Sequence, residues 1–333
     1  MRKGMRMTSS MRTDDPWSGI AASSNELLGR RVEGAHPLAI YWVCSDDRAP
    51  GLLIRGIDMT SVPRAFPKLR GISIQLSAPD APQPFARLIL QNSDGRSVFL
   101  ALCRDVIESS AGEQSISQAT SSVFLRLSRW HLLLSRARSL EMGPPEIRGL
   151  IGELIVLERL VDSVGAIAAL HAWVAPDDHP QDFALNTSII EVKTRVSGAR
   201  PRVQISSLEQ LESAHLPINL VVVELVPSSG SSSFSLNDIV DRVLSRFDEI
   251  GAEAREATEA ALAARGYLRL DAYSVEHYTV AGIRAFAVGE EFPRLIRSTI
   301  NHAVCEASYA LDLTALASFE RLLIEVIPEG TKN

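Results

Sequence analysis

The stretch Asp182-Phe-Ala-Leu-Asn-Thr-Ser-Ile-Ile-Glu191-Val-Lys193 constrains the fold more than any other part of the chain. Apolar and β-branched residues flank a polar dipeptide, Asn186-Thr187, which is the pattern of a β-hairpin. Pairing Leu185 with Ser188 sets Ala184 against Ile189 and Asp182 opposite Glu191. Directly opposed residues have Cβ atoms roughly 5 Å apart on one face of a sheet. Lys193 lies two residues beyond Glu191 and so shares its face. Two carboxylates that close repel each other unless a cation lies between them. A hard divalent ion such as Mg²⁺, which prefers oxygen ligands, suits the place.

The elements around the hairpin follow from period and punctuation. Gly143-Pro-Pro145 breaks the chain, and a helix is predicted over 146–164, where Gly165 stops it. Its apolar stripe is Ile147, Leu150, Ile151, Leu154, Val161 and Val164. Glu153 falls on the border of that stripe and Glu158 nearer its middle. A lone buried carboxylate is costly, so at least one of the two is expected to have a partner. After the hairpin, 202–206 reads as a third strand, with Ser206 capping a short helix through Leu208, Gln210 and Leu211. Residues 218–226 are β-branched and nearly unbroken, as a buried strand is. Beyond them, 236–247 and 253–265 read as helices and 268–288 as strand-like alternation. A short amphipathic piece at 292–300 and a closing segment at 311–327 follow.

The first third reads differently. Short β candidates at 38–44, 51–57 and 69–76 alternate with polar turns. Segments 85–90 and 98–102 flank Ser93-Asp-Gly95, a strong hairpin signal. Residues 109–122, rich in Ser, Gly and Gln, read as a loop or linker. A helix over 124–140 carries Arg126, Arg129 and Arg136 in one arc, a solvated basic face before a phosphate-contacting one. The expected domains are a disordered lead-in at 1–30, a β-rich N-terminal domain at 31–120, a core at 121–235 and a C-terminal helical and strand extension at 236–333.

Composition excludes several classes. Hydrophobic residues make up 46% of 333, enough for a large core and too many for global disorder. No uninterrupted apolar run approaches the roughly 20 residues that span a bilayer. Residues 1–24 lack a signal peptide's apolar centre, so a cytoplasmic, membrane-free location is expected. Cys44, Cys103 and Cys305 are far apart and read as buried thiols, not as a disulfide framework or a zinc site. The seven histidines show no metal-ligand spacing, and there is no P-loop or dinucleotide-binding glycine pattern. A net charge of −6 argues against a general polyanion-coating protein.

A glutamate on a helix, an aspartate on the first strand and Glu-Val-Lys on the second resemble the PD-(D/E)XK nuclease superfamily, the restriction-endonuclease-like fold. The run Gly149-Leu-Ile-Gly-Glu153-Leu, Asp182-Phe, Glu191-Val-Lys193 and Gln210-Leu looks like PD-(D/E)XK proteins encoded beside restriction-modification and phage-defence genes. The likeness covers 146–226, with a weaker one at Glu291-Phe-Pro-Arg294. It implies an α/β (α+β) architecture: a mixed central sheet flanked by helices, with an N-terminal antiparallel β-rich domain and a C-terminal α/β extension. It implies that Asp182 and Glu191 ligate Mg²⁺ or Mn²⁺, that the Val192 carbonyl completes the protein ligands, and that Glu153 touches the metal directly or through water. Lys193 would orient or deprotonate the attacking water, and Gln210 would touch the scissile phosphate or that water. Arg195, Arg200 and Arg202, just after this strand, read equally as a solvated loop and as DNA phosphate contacts.

The implied activity is a Mg²⁺-dependent DNA endonuclease of a prokaryotic restriction-modification or phage-defence system. DNA, a methyltransferase and a helicase-like ATPase are the implied partners, and a homodimer is left open. The alternative is a catalytically inactive nuclease-fold subunit that binds DNA or acts as a scaffold. Gln181 stands where the motif's name has proline. A literal Pro176-Asp177 is out of register with Glu191, while Asp178 and His179 stay candidates for the rim of the site. Trp173 reads as core and not as a base-stacking platform.

Overall fold

The computed structural model describes residues 15–20, 29–65, 68–92, 95–136, 141–173 and 180–327. The chain divides into two units, Met1–Ser135 and Arg136–Asn333, a division at 135/136 where 120/121 was expected.

In the first unit the alternating segments form β1 (Gly29–Arg31), β2 (Ala39–Cys44), β3 (Pro50–Arg55), β4 (Ile72–Leu76) and β5 (Phe85–Leu90). They pair antiparallel throughout in the order β1-β2-β3-β5-β4. Ile40, Leu52, Ile54, Ala86, Leu88 and Leu90 are buried on one face. Within the stretch expected as a lead-in, Trp17 is buried, stacks on Phe99 and meets Trp42 edge-on, and its indole N–H donates to the Gly51 carbonyl.

Two expectations in this unit fail. Residues 98–102 are not a strand but part of helix α1 (Arg96–Ala111). Val98, Phe99, Leu102, Cys103 and Val106 are its buried residues, and that spacing is helical. Nor is 109–122 a loop: α1 runs to Ala111, and α2 (Ile116–Arg136) begins four residues after Gly112. The Ser/Thr-rich sequence is accommodated because Ser110 Oγ donates to the Val106 carbonyl and Thr120 Oγ1 to that of Ile116, within their own helices. In the basic arc, Arg126 and the Trp130 indole N–H both donate to Asp105, while Arg129 is exposed. The side chain of Arg136 lies outside the described residues.

The second unit is built on a mixed five-stranded sheet. Its elements in chain order are α3 (Pro144–Val164), α4 (Ala166–Ala172), β6 (Phe183–Ala184), β7 (Ile189–Val196), β8 (Arg202–Ile205), β9 (Ile218–Pro227), α5 (Leu236–Asp248), α6 (Ala252–Ala264), β10 (Tyr278–Val288), β11 (Tyr309–Asp312), β12 (Glu320–Arg321) and α7 (Leu323–Val326). The strand order is β12-β10-β9-β7-β6, with β7 and β9 parallel and the other pairs antiparallel. This is the mixed sheet flanked by helices that the resemblance implied. Two of its strands, β10 and β12, come from the segment expected as an extension.

Helix α3 starts after Gly143, whose N–H donates to Glu146, and stops at Gly165, which takes φ +86. It packs on the face of β7 that carries Val192 and Thr194. Helix α5, capped by Ser235, packs beside it, and α6 packs on α5. On the opposite face, Ile189, Leu220, Val222 and Phe286 of the sheet form one core with Val203, Ile205 and Leu311 of the β8–β11 ribbon. Cys44 and Cys103 are buried as expected, whereas Cys305 is exposed. No described helix is long and apolar enough to cross a membrane.

Candidate functional site

The hairpin forms in the register that its sequence dictates. Leu185 N–H donates to the Ser188 carbonyl at 2.9 Å, Ala184 pairs with Ile189, and Phe183 with Ile190. One more step sets Asp182 opposite Glu191. Asp182 Oδ2 accepts the Val192 N–H at 2.7 Å. Glu191 is 1% exposed; its Oε1 lies 2.7 Å from Lys193 Nζ, and its Oε2 is buried with no hydrogen-bond partner.

Burial dominates the electrostatics of this pair. It pushes the Asp182 carboxyl well above the usual carboxylate range, and the charges of Glu191 and Glu153 push it further, against the Val192 N–H and Lys193. Burial raises the Glu191 carboxyl to about 7, with Lys193 pulling it down and Glu153 adding to the rise. Glu153 is therefore close enough to act on both carboxyls.

Lys193 is held from two sides. Besides Glu191, its Nζ donates to Gln210 Oε1 at 3.1 Å, and that oxygen also accepts the Ser206 N–H at 2.9 Å. Ser206 is not the helix cap that was expected. The short 3₁₀ turn Glu209–Leu211 has Leu208 at its cap position, and the side chain of Gln210 reaches back to the Ser206 backbone instead. Two residues that sequence reasoning assigned no role brace this turn. Gln181 is buried and its amide donates to the carbonyls of Glu209 and Glu212 at 2.5 and 3.0 Å. Arg294 Nη1 donates to the Leu211 carbonyl at 2.6 Å. Gln181 thus fills the proline position of the motif with a strut from the aspartate's neighbour to the turn that carries Gln210. Phe292, in the same Glu291-Phe-Pro-Arg294 segment, is buried in the core below.

Glu153 comes from α3. A Cβ on Gly152 would lie 1.9 Å from Thr194 Oγ1, so only glycine lets α3 approach β7 closely enough at this point. Glu153 Oε2 accepts both the Trp173 indole N–H at 2.9 Å and Arg265 Nε at 2.8 Å. Trp173 is buried, as expected. Arg265 was missed: its only signal is a basic residue at a helix C-terminus, 112 positions along the chain from its partner. Glu158 pairs with Arg242 instead, with both guanidinium–carboxylate contacts near 3 Å. Both helix glutamates therefore have partners, and Glu153 is the one at the site.

The three arginines separate. Arg195 is 11% exposed, ion-paired with Glu224 at 2.6 Å, and donates to the Ala199 carbonyl at 2.7 Å. Two of its guanidinium nitrogens are thus engaged by groups of the chain itself. Arg200 and Arg202 are exposed. Asp177, Asp178 and His179 lie outside the described residues, and the side chain of His171 is exposed.

The carboxylate pair fits a divalent ion. Two carboxylates share a buried place, and one buried oxygen of Glu191 has nothing to bond. Among the described residues no group of three or more His, Cys, Asp or Glu side chains is arranged to hold a metal. An ion here would rest on Asp182 and Glu191, with a backbone carbonyl and water completing its shell.

No curated protein and no solved structure matches the chain. Residues 13–314, a span that reaches far beyond the hairpin on both sides, match the family described as "Putative PD-(D/E)XK family member, (DUF4420)", and the chain belongs to that family.

Proposed function

We propose that the chain is a Mg²⁺- or Mn²⁺-dependent DNA endonuclease of a prokaryotic restriction-modification or phage-defence system. The observation that carries this reading is the buried, unpartnered Oε2 of Glu191 beside Asp182, with Lys193 Nζ 2.7 Å from the other oxygen. Membership of a PD-(D/E)XK family supports nuclease-like chemistry. Asp182, Glu191 and the Val192 carbonyl would hold the ion, with Glu153 acting through water. When bound, the metal makes its water more acidic and draws charge from a phosphoryl oxygen.

The chain's own residues supply the rest. Lys193, fixed by Glu191 and Gln210, is placed to orient or deprotonate a water and to offset charge gathering on the phosphate. The Gln210 oxygen already accepts two bonds, so its NH₂ is the group left to donate to phosphate or water. Arg200 and Arg202 are exposed and can meet backbone phosphates. A net charge of −6 implies weak DNA affinity for the chain alone and delivery by a partner, such as a methyltransferase or a helicase-like ATPase.

Purified protein is expected to nick or cut DNA with Mg²⁺ or Mn²⁺, and to lose that activity in Asp182→Ala and in Lys193→Ala. A wild type inert on every DNA form, with and without partner proteins, sinks the reading. A second reading, a non-catalytic DNA-binding or scaffolding subunit, is favoured by the lack of a three-side-chain metal cluster among the described residues. It predicts DNA or partner binding that survives Glu191→Ala and no uptake of Mn²⁺.

A further inference from the structure

Arg265 has no part in the chemistry above, yet it is built into the site. Its side chain is 11% exposed, and its Nε donates to Glu153 Oε2. Its guanidinium carbon lies 3.9 Å from the centre of the Trp173 ring. The indole N–H of that same ring donates to the same glutamate oxygen. Two donors, stacked on each other, therefore converge on one oxygen of one carboxylate.

Three separate elements create this arrangement. Helix α3 brings Glu153. Trp173 ends α4. Arg265 follows the last turn of α6, which Gly266 at φ +83 terminates, so the backbone there is fixed and the guanidinium is delivered to α3. A planar guanidinium can donate from its edge while stacking by its face, which an ammonium cannot copy. A carboxylate held this firmly by one oxygen presents the other in a set direction. Groups that orient a ligand from behind in this manner typically alter metal affinity 10–100-fold when removed.

We propose that Arg265 is a positioning residue of the metal centre: with Trp173 it locks Glu153 in the orientation from which the glutamate serves, through water, an ion held by Asp182 and Glu191. This inference rests on the metal-dependent reading above. It makes the end of α6, outside the motif that marks the family, part of the site.

The test is binding, not cleavage. Mn²⁺ is titrated calorimetrically into the full chain and its Arg265→Gln, Arg265→Lys and Glu153→Gln variants, with folding checked by circular dichroism. Mg²⁺ is titrated in parallel while tryptophan emission is followed. Trp173 is the sole tryptophan of residues 136–333, and Trp173→Phe identifies its share of the signal. Arg265→Gln is expected to weaken Mn²⁺ binding about 10-fold or more, and Arg265→Lys to recover part of the loss. Mg²⁺ should shift Trp173 emission in the wild type and not in Glu153→Gln. If Arg265→Gln does not fold, Arg265→Lys decides: added to Glu153→Gln it must cost nothing further, because both act through one carboxylate. A wild type that binds Mn²⁺ while a folded Arg265→Gln binds it equally well overturns the role of Arg265 alone. A wild type that takes up no Mn²⁺ overturns the metal reading and this inference with it.

Discussion

Raising the pH of the metal-free protein from 5 to 8 is expected to destabilise it, and Glu191 sets the size of the effect. Its carboxyl is raised from 4.5 to about 7. A raised carboxyl means that the unfolded chain gives up its proton first. The associated stability is complete below 4.5 and is lost as pH climbs through about 7. The difference between 4.5 and about 7, at roughly 1.4 kcal/mol per pH unit, is roughly 3 kcal/mol. Glu191 is 1% exposed, so solvent screening does not shrink this figure. For a unit of about 200 residues it corresponds to on the order of 6–12 °C in Tm. Asp182, also raised, acts in the same sense. The carboxyls held below their usual range, such as Asp58, Asp238 and Glu320, contribute stability that is lost only as pH falls through their lower values, so they do not oppose this trend above pH 5. His36, lowered by burial, does oppose it near neutrality. The clean assay is therefore a difference: Tm of Glu191→Gln minus wild type, in EDTA, across pH 5 to 8. The gap should widen with pH in favour of the glutamine, and Mg²⁺ at pH 8 should restore the wild type while leaving the variant unmoved. A gap that is flat with pH, or that narrows, refutes the claim that Glu191 is buried at the expense of its charge.

Three smaller perturbations probe the supporting layer. Gly152→Ala puts a Cβ 1.9 Å from Thr194 Oγ1 and 3.3 Å from Thr194 Cβ, so the helix or the strand must shift, and should cost about 1–3 kcal/mol in urea unfolding. Gln181→Ala strips two carbonyls of the Gln210 turn of their donor and should cost about 1–3 kcal/mol, while lowering any nuclease turnover through Lys193 more than it changes substrate affinity. Glu158→Ala breaks only an ion pair whose arginine is 47% exposed, and a loss of more than about 1 kcal/mol in the same assay would contradict its reading as a surface contact.

How much of this was legible in the sequence follows from the reach of each signal. The hairpin register was readable because a two-residue turn fixes it locally, and the pairing at Ala184 and Ile189 follows. Helix α3 was readable from its Pro start, its glycine stop and its stripe. Residues 98–102 misled because a five-residue apolar run has no period of its own; only the further burial of Cys103 and Val106 shows the helical repeat. The bonding roles of Gln181, Arg294 and Arg265 were hidden for another reason. Their partners lie 28 to 112 positions away, and no local pattern marks a side chain whose role is to bond a distant carbonyl or carboxylate.

Among the described residues, the buried side-chain atoms without a hydrogen-bond partner are Glu191 Oε2, Thr194 Oγ1 and Arg195 Nε, and all three belong to β7. Each such atom costs about 1–3 kcal/mol, so each needs a reason. Thr194 has one in packing: Gly152 of α3 lies directly over its oxygen and seals it from water. Arg195 has one in its other nitrogens, which bond Glu224 and Ala199 and hold the guanidinium where its third cannot turn outward. Glu191 has only one oxygen paired: Lys193 reaches its Oε1, and Glu153 adds negative charge to the same place. On the metal-dependent reading proposed above, a cation from outside the chain would take up this buried oxygen.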